Sequence, residues 1–171
     1  AQNYLSAVNR VLEIARGDRV VRLDPVHDAG LPRRSGVATE NHAMEPNDHQ
    51  RWLASVPPLL AAAMMLQREF GLRFEESVKI DAKKALNEAM CSGVVRVSDG
   101  TKGGRSRLVP AGSEQIAALQ RAAELQGSHW SLIPPDQSYA VYREACYRYG
   151  IRFHSERHAY AQARYLALTG A

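Results

Sequence analysis

Four basic side chains, set far apart along the chain, are the residues that could carry chemistry together. They are Arg73, Lys102, His154 and Arg157. Arginine grips a phosphate with two parallel N–H donors and lysine supplies a point charge, so three of the four suit a phosphodiester. A histidine beside them indicates proton transfer as well as binding. The set therefore predicts chemistry on a phosphate ester.

Arg73 follows an apolar stretch and a glycine, in Gly71-Leu72-Arg73-Phe74-Glu75-Glu76. A helix that ends at Gly71 and a second helix that begins just after it would aim the guanidinium at one spot. Glu76, one turn along, is placed to hold Arg73 there. The alternative is an ordinary surface ion pair between residues i and i+3, which contributes little stability.

Lys102 lies at a glycine-rich tip, in Thr101-Lys102-Gly103-Gly104-Arg105-Ser106-Arg107-Leu108-Val109-Pro110. Glycine lets the backbone move and approach a ligand closely, so a charged tip can reach into a groove. Arg105 and Arg107 add positive charge beside it. The alternative is a solvated turn whose charges serve solubility.

His154 and Arg157 lie at the predicted start of the last helix, in His154-Ser155-Glu156-Arg157-His158. Free N–H groups and the helix dipole attract phosphate to such an end, and Ser155 is the predicted N-cap. In the alternative interpretation, His158 and Tyr160 pack locally while His154 and Arg157 are solvated.

In this order, the three segments resemble the catalytic residues of the tyrosine recombinase (phage integrase) family. These enzymes cut and rejoin DNA through a covalent link between a tyrosine and a phosphate. The resemblance implies that Arg73, His154 and Arg157 contact the scissile phosphate and that Lys102 is the general acid for the leaving 5′ oxygen. It also implies supporting roles for Glu76 and His158, and DNA contacts for Arg105 and Arg107.

Two positions depart from the family pattern. Thr101 stands where glycine is frequent, and Glu156 stands where leucine is usual, which places an acid beside the expected anion site. No metal or cofactor is expected, because the arginines supply the positive charge that magnesium supplies in other phosphoryl-transfer enzymes.

The nucleophile is expected outside this chain. The resemblance places it well beyond the His-x-x-Arg helix, whereas Tyr160 and Tyr165 lie on that helix itself. The tyrosines before the helix are expected to pack in the core; they are Tyr139, Tyr142, Tyr147 and Tyr149. We therefore expect a fragment that is inactive by itself.

The elements that must position these residues follow from apolar periodicity and turn-forming residues. Periodicity predicts an amphipathic helix over residues 3–16, which cannot bury its own apolar face alone. Prolines and glycines then predict a linker with a basic patch at Arg33 and Arg34. We expect residues 1–22 to be the last helix of an amputated core-binding domain, residues 23–47 an interdomain linker, and residues 48–171 an integrase catalytic domain truncated before the nucleophilic tyrosine.

Within residues 48–171, the pattern predicts a mainly α domain with a small antiparallel β-sheet, an α+β fold. The predicted β-hairpin pairs residues 93–98 with residues 105–110. The predicted helices cover residues 48–54, 57–70, 74–80, 113–125, 136–149 and 155–168, with Asn47 or Asp48, Ser113, Asp136 and Ser155 as N-caps.

Composition permits this interpretation without requiring it. The chain has 171 residues, of which 45% are hydrophobic, and a net charge of +4 with a pI near 9.3. That positive excess is modest for a DNA partner. Cys91 and Cys146 lie in no metal-ligand spacing, which favours a reducing compartment. No apolar run reaches the length of a membrane span and no signal peptide is evident, so a cytoplasmic protein is expected.

The expected function is site-specific DNA recombination or integration through a covalent phosphotyrosine intermediate, in a prophage or related mobile element. Double-stranded DNA is the expected partner, and the full-length protein is expected to form a homo-oligomer on DNA. Two alternatives stay open: a type IB topoisomerase-like enzyme, and a recombinase-derived DNA-binding regulator that never cuts.

Overall fold

A computed structural model describes residues 2–17, 19, 22–33 and 40–170, and the chain divides into two units, Ala1–Asn41 and His42–Ala171. The first unit is built on α1 (Gln2–Arg16), which confirms the predicted amphipathic helix. The Asn9 side chain exchanges two hydrogen bonds with the Leu23 backbone, at 2.8 and 2.9 Å, and so folds the following segment back on α1. Arg34 of the expected basic patch lies outside the described residues. The three-part division of the chain stays a prediction.

The second unit is mainly α-helical with one small antiparallel sheet, which confirms the predicted fold class. Its helices are α2 (Pro46–Ser55), α3 (Pro58–Phe70), α4 (Phe74–Lys79), α5 (Ala82–Ser92), α6 (Ser113–Gln126), α7 (Tyr139–Tyr147) and α8 (His154–Thr169). Strands β1 (Val94–Val97) and β2 (Arg107–Pro110) pair in the register Val94 with Pro110 and Val97 with Arg107, which confirms the hairpin. A single 3₁₀ turn, Lys102–Gly104, occupies the hairpin tip.

Helix α3 runs through the centre of this unit. Leu60, Met64, Leu66 and Phe70 on α3 are all fully or almost fully buried, as expected for a helix that is apolar on most sides. Helices α6 and α8 pack against α3, while α5 packs against α6 and β1. The core therefore lies between α3 and the elements that carry the candidate residues.

Helix α5 was missed by the sequence analysis. Its buried positions are the small residues Ala82, Ala85 and Ala89, which bury little apolar area. A clear start signal is present nevertheless, because the Asp81 side chain accepts a hydrogen bond from the Lys84 amide at 3.2 Å. This helix supports β1 and so anchors the hairpin.

The predicted N-caps of α2 and α6 were wrong. Helix α2 begins at Pro46 with Glu45 before it, so Asn47 and Asp48 lie inside its first turn. Proline suits the first helical position because it lacks the N–H that would be unsatisfied there. Ser113 is the first residue of α6, and Gly112 occupies the capping position.

The predicted caps of α7 and α8 were wrong as well. Ser138, rather than Asp136, accepts a hydrogen bond from the Val141 amide and starts α7. Helix α8 begins at His154, so Ser155 lies inside its first turn, where its hydroxyl donates to the Arg152 carbonyl at 2.6 Å and does not cap the helix. Competing local hydrogen bonds of short polar side chains account for such misplacements.

None of the helices in the described part of the chain combines the length and the apolar character that a bilayer span requires.

Candidate active site

The start of α4 brings Arg73 and Glu76 together. Gly71 ends α3 in the left-handed conformation, with φ of 61°, and the chain then extends through Arg73 into α4. The Arg73 amide donates to Glu76 Oε2 at 2.7 Å, and the Arg73 Nη1 donates to Oε1 at 2.9 Å. The ion pair that the spacing predicted is therefore present, and the same carboxylate caps the first turn of α4.

Arg107 on β2 grips the same carboxylate with both ends of its fork. Its Nη1 lies 2.9 Å from Glu76 Oε1 and its Nη2 lies 2.7 Å from Oε2. The Glu76 carboxylate is fully buried, whereas the side chains of Arg73 and Arg107 are 41% and 31% exposed. Arg107 thus ties the hairpin to α4, and its expected contact with DNA stays a prediction.

Glu76 is ionised in this setting. Burial by itself would raise the pKa of the Glu76 carboxyl, but the hydrogen bonds from Arg107 and from the Arg73 backbone outweigh it and lower that pKa below its usual range. The side-chain hydrogen bonds between Arg107 and Glu76 raise the pKa of Arg107. One buried anion therefore holds two cations at the surface.

Arg157 reaches this cluster from α8. Its Nη1 donates to the Gly71 carbonyl, at the end of α3. Burial, followed by the positive charges of Arg73 and Arg107, lowers the pKa of Arg157 below its ordinary value. Three guanidinium groups therefore interact around one carboxylate, and the surplus positive charge favours a bound anion.

Gly71 also sets the approach of α8. A Cβ built at Gly71 would overlap the Tyr160 ring, so glycine suits both this contact and the left-handed conformation. Tyr160 lines the same stretch of surface as Arg107 and Arg157. The sequence analysis did not single out this contact, although Gly71 was predicted to end α3.

His154 lies in the first turn of α8, beside the arginines. Its ring meets that of His158 edge to face, with 4.8 Å between centroids, and the His158 ring lies 5.8 Å from that of His42. Burial, followed by electrostatic interaction with His158, Arg157 and Arg73, lowers the pKa of His154. The imidazole is therefore predominantly neutral at pH 7, and it can accept a proton once an anion arrives.

Lys102 and Arg105 are exposed at the hairpin tip. No hydrogen bond or ion pair joins either side chain to another of the described residues. The loop that carries them is seated on α4, because a Cβ at Gly100 would lie 2.9 Å from the Glu75 backbone. The structure therefore brings Arg73, His154 and Arg157 together and leaves Lys102 reaching outward from the same hairpin as Arg107.

The expectation that Glu156 lies beside the anion site was wrong. The Glu156 carboxylate is fully buried, with His49 Nδ1 2.6 Å from Oε1 and Arg68 Nη1 2.9 Å from Oε2. His49 lies on α2 and Arg68 on α3, and neither was predicted as a site residue. One signal in the sequence could have indicated this cluster. The family fills position 156 with leucine, which indicates a buried position, and an acid at a buried position requires a hydrogen-bonding or charged partner.

A shallow depression opens beside the arginines. Gly71, Arg107, Arg157 and Tyr160 are among its lining residues, and its volume is about 280 Å³. Cavities for drug-sized ligands are usually larger than this, so the depression suits a small charged group better than a bulky organic molecule.

A comparison with protein-family models identifies the family of this chain. Residues 54–163 match the family model described as Integrase, which covers more than half of the 171 residues and spans Arg73, Lys102, His154 and Arg157. A search of the curated proteins finds no match. The chain therefore belongs to the integrase family, whose general role is site-specific recombination and integration of DNA.

Proposed function

We propose that this chain is the phosphate-binding part of a tyrosine recombinase, which breaks and rejoins DNA through a covalent phosphotyrosine intermediate in a prophage or related mobile element. The observation that carries the proposal is the convergence of three arginines on one surface around the buried Glu76 carboxylate. His154 of the predicted set lies beside them.

Arg73 and Arg157 would hold the scissile phosphate. Each guanidinium is partly exposed yet fixed by one protein acceptor, Glu76 for Arg73 and the Gly71 carbonyl for Arg157. Fixed cations stabilise the charge that develops on a pentacoordinate phosphorus without reorganising during the reaction. Such preorganised charge is usually the largest catalytic contribution.

His154 would assist proton movement or hold a nonbridging oxygen of the phosphate. Because its pKa is lowered in the free protein, the neutral imidazole can accept a proton or a hydrogen bond. A bound phosphodiester would offset the positive charges of Arg73 and Arg157 and so raise that pKa. DNA binding would then favour the imidazolium, which donates to a phosphate oxygen.

Lys102 would protonate the departing 5′ oxygen from the tip of the β-hairpin. Its exposed ammonium has no partner among the described residues, so it is available to a ligand that arrives from solvent. Arg107 holds one strand of the hairpin to Glu76 and thus to Arg73. Arg107 therefore attaches the base of the hairpin to the proposed phosphate site, while Lys102 lies at the hairpin tip.

Duplex binding as a function of salt tests the proposal. Fluorescence anisotropy with a labelled duplex should show salt-sensitive binding, and Arg73→Ala or Arg157→Ala should each reduce the slope of log K against log salt by about 0.9. Arg143→Ala, which removes an exposed arginine of α7, is the matched control and should leave the slope unchanged. Absence of duplex binding at low salt would contradict the proposal.

A further inference from the structure

The buried Glu156 carboxylate has no part in the proposed phosphate chemistry and yet adjoins Arg157. Both oxygens are used, one by His49 and one by Arg68, and the residue is fully buried. His49 is only 5% exposed. Three helices, α2, α3 and α8, thus meet at one carboxylate.

Stability alone does not explain an acid at this position. Burying charge carries a desolvation cost, and well-packed apolar side chains of similar size usually give equal or greater stability. The buried ion pair fixes the orientation of α8 instead, because a carboxylate bonded to two fixed donors restricts the rotation of the helix about its axis. An apolar side chain at this point would pack acceptably over a range of rotations.

The first turn of α8 is bonded on several sides around this carboxylate. The Met44 amide donates to the Ser155 carbonyl at 3.1 Å, and Arg68 Nη1, besides pairing with Glu156, lies 3.3 Å from the Met44 carbonyl. Arg157, the residue after Glu156, projects about 100° further round the helix and reaches Gly71. The direction in which α8 presents Glu156 therefore determines the direction in which it presents Arg157.

Even a small rotation of α8 about its axis would displace the Arg157 guanidinium. Side-chain ends lie about 5–6 Å from a helix axis, so a rotation of roughly 10° moves them by about 1 Å. A displacement of that size at a reacting group can reduce a rate by about 100-fold.

We infer that Glu156, held by His49 and Arg68, is a positioning residue that sets the rotation of α8 and so places Arg157 on the phosphate. The inference rests on the proposed function, since it assigns the purpose of the positioning to phosphate binding by Arg157. Glu156 itself touches neither DNA nor the phosphate.

A double-mutant cycle on duplex binding tests this inference. Glu156→Gln keeps the side-chain shape but removes the charge that faces Arg68, and it should weaken binding about three- to tenfold. In an Arg157→Ala background the same substitution should change the affinity less than twofold, because the group that it positions is gone. In an Arg73→Ala background, on α4, Glu156→Gln should keep its full effect.

Glu144→Gln is the matched control, because that carboxylate pairs with Arg148 at 2.8 Å on the exposed face of α7. It should leave binding unchanged in every background. Thermal unfolding of each variant verifies that the protein is folded. If Glu156→Gln does not fold, Arg68→Lys replaces it in the same cycle, since lysine keeps the charge and loses the fork.

The outcomes separate the inference from the proposed function. An equal loss of affinity from Glu156→Gln with and without Arg157 overturns the inference, as does failure of both variants to fold, because either result makes the cluster purely stabilising. If Arg157→Ala binds duplex DNA as the unmodified protein does, the proposed function fails instead.

Discussion

At the scale of single residues, Glu76 is the centre of the candidate site. Its carboxylate accepts from the Arg73 backbone, the Arg73 side chain and both terminal nitrogens of Arg107. A buried anion in this position fixes two guanidinium groups while leaving part of each open to a ligand. Its ionisation therefore links the stability of the fold to the geometry of the site.

Acid should reduce the stability that the Glu76 carboxylate contributes. Because the folded-state pKa of Glu76 is lowered, its carboxylate contributes stability that is complete above the unfolded-state pKa of about 4.3 and is lost as the pH falls through the folded-state value. Glu76→Gln lacks this titration. Its free energy of unfolding should be lower than that of the unmodified protein by about 1–3 kcal/mol at pH 6, and the difference should shrink toward pH 3.

Urea denaturation at several pH values measures the free energy of unfolding of the unmodified protein and of Glu76→Gln as a function of pH. Glu144→Gln, at an exposed ion pair, is the control and should run parallel to the unmodified protein. A difference between Glu76→Gln and the unmodified protein that stays constant from pH 6 to pH 3 would show that Glu76 does not titrate as described.

Which of these contacts the sequence predicts depends on separation along the chain. The Arg73–Glu76 pair was predicted because three residues bring two side chains onto one helical face. The ion pair between Glu76 and Arg107 joins α4 to strand β2, and the two residues are 31 positions apart. The partner of Glu156 on α2 is 107 residues away. Local spacing has no information on such contacts, because they depend on how the helices pack.

At the scale of elements, the end of α3 and the body of α8 meet at Gly71. This residue combines a left-handed backbone with a position against the Tyr160 ring, and its carbonyl accepts from Arg157. Helices α3 and α4 were predicted nearly to their observed ends because glycine and proline mark them clearly. Helix α5 was not, since the residues that it buries are alanines, which the search for large apolar side chains at helical spacing passed over.

Gly71→Ala should destabilise the protein more than the same change at Gly93. Both glycines have positive φ, 61° and 70°, but a Cβ at Gly93 meets nothing within 4 Å, whereas one at Gly71 would overlap Tyr160. Gly93→Ala should cost about 1–2 kcal/mol for the backbone conformation. Gly71→Ala should cost about 1–3 kcal/mol more for overpacking. Chemical denaturation of both variants gives the comparison, and equal losses would argue against a tight contact between α3 and α8.

The hairpin tip should contribute to DNA contact and hardly to stability. Lys102 is exposed and has no partner among the described residues, so Lys102→Ala should change the free energy of unfolding by less than about 0.5 kcal/mol. It should nevertheless weaken duplex binding and reduce its salt dependence by about one phosphate contact. Lys84→Ala, on the exposed side of α5, is the control for charge alone. Unfolding of the Lys102 variant would instead make this lysine structural.

At the scale of the whole molecule, the second unit offers positive charge for a phosphate, whereas the proposed function takes none of its described tyrosines as the nucleophile. Burial raises the pKa of Tyr139 and, far more, that of Tyr142, so neither phenol ionises readily. Tyr147 and Tyr149, which were expected in the core, are instead 49% and 42% exposed, although the Tyr147 ring packs edge to face against Phe74 and Phe153. Tyr160 lies beside the arginines with its ring held against Gly71. The proposed function therefore predicts binding by this chain without covalent chemistry.

This polypeptide alone should therefore form no covalent adduct with a nicked suicide substrate, even at high concentration. In the proposed function Arg73, His154 and Arg157 stabilise the transition state, but none of them can form the phosphotyrosine link. A longer protein that supplies a tyrosine from a later helix should form the adduct, because nucleophile and clamp would then share one site. A denaturing gel separates the outcomes, since the attached strand shifts the protein band. A shifted band from this chain that disappears in Tyr160→Phe or Tyr165→Phe would place the nucleophile on α8.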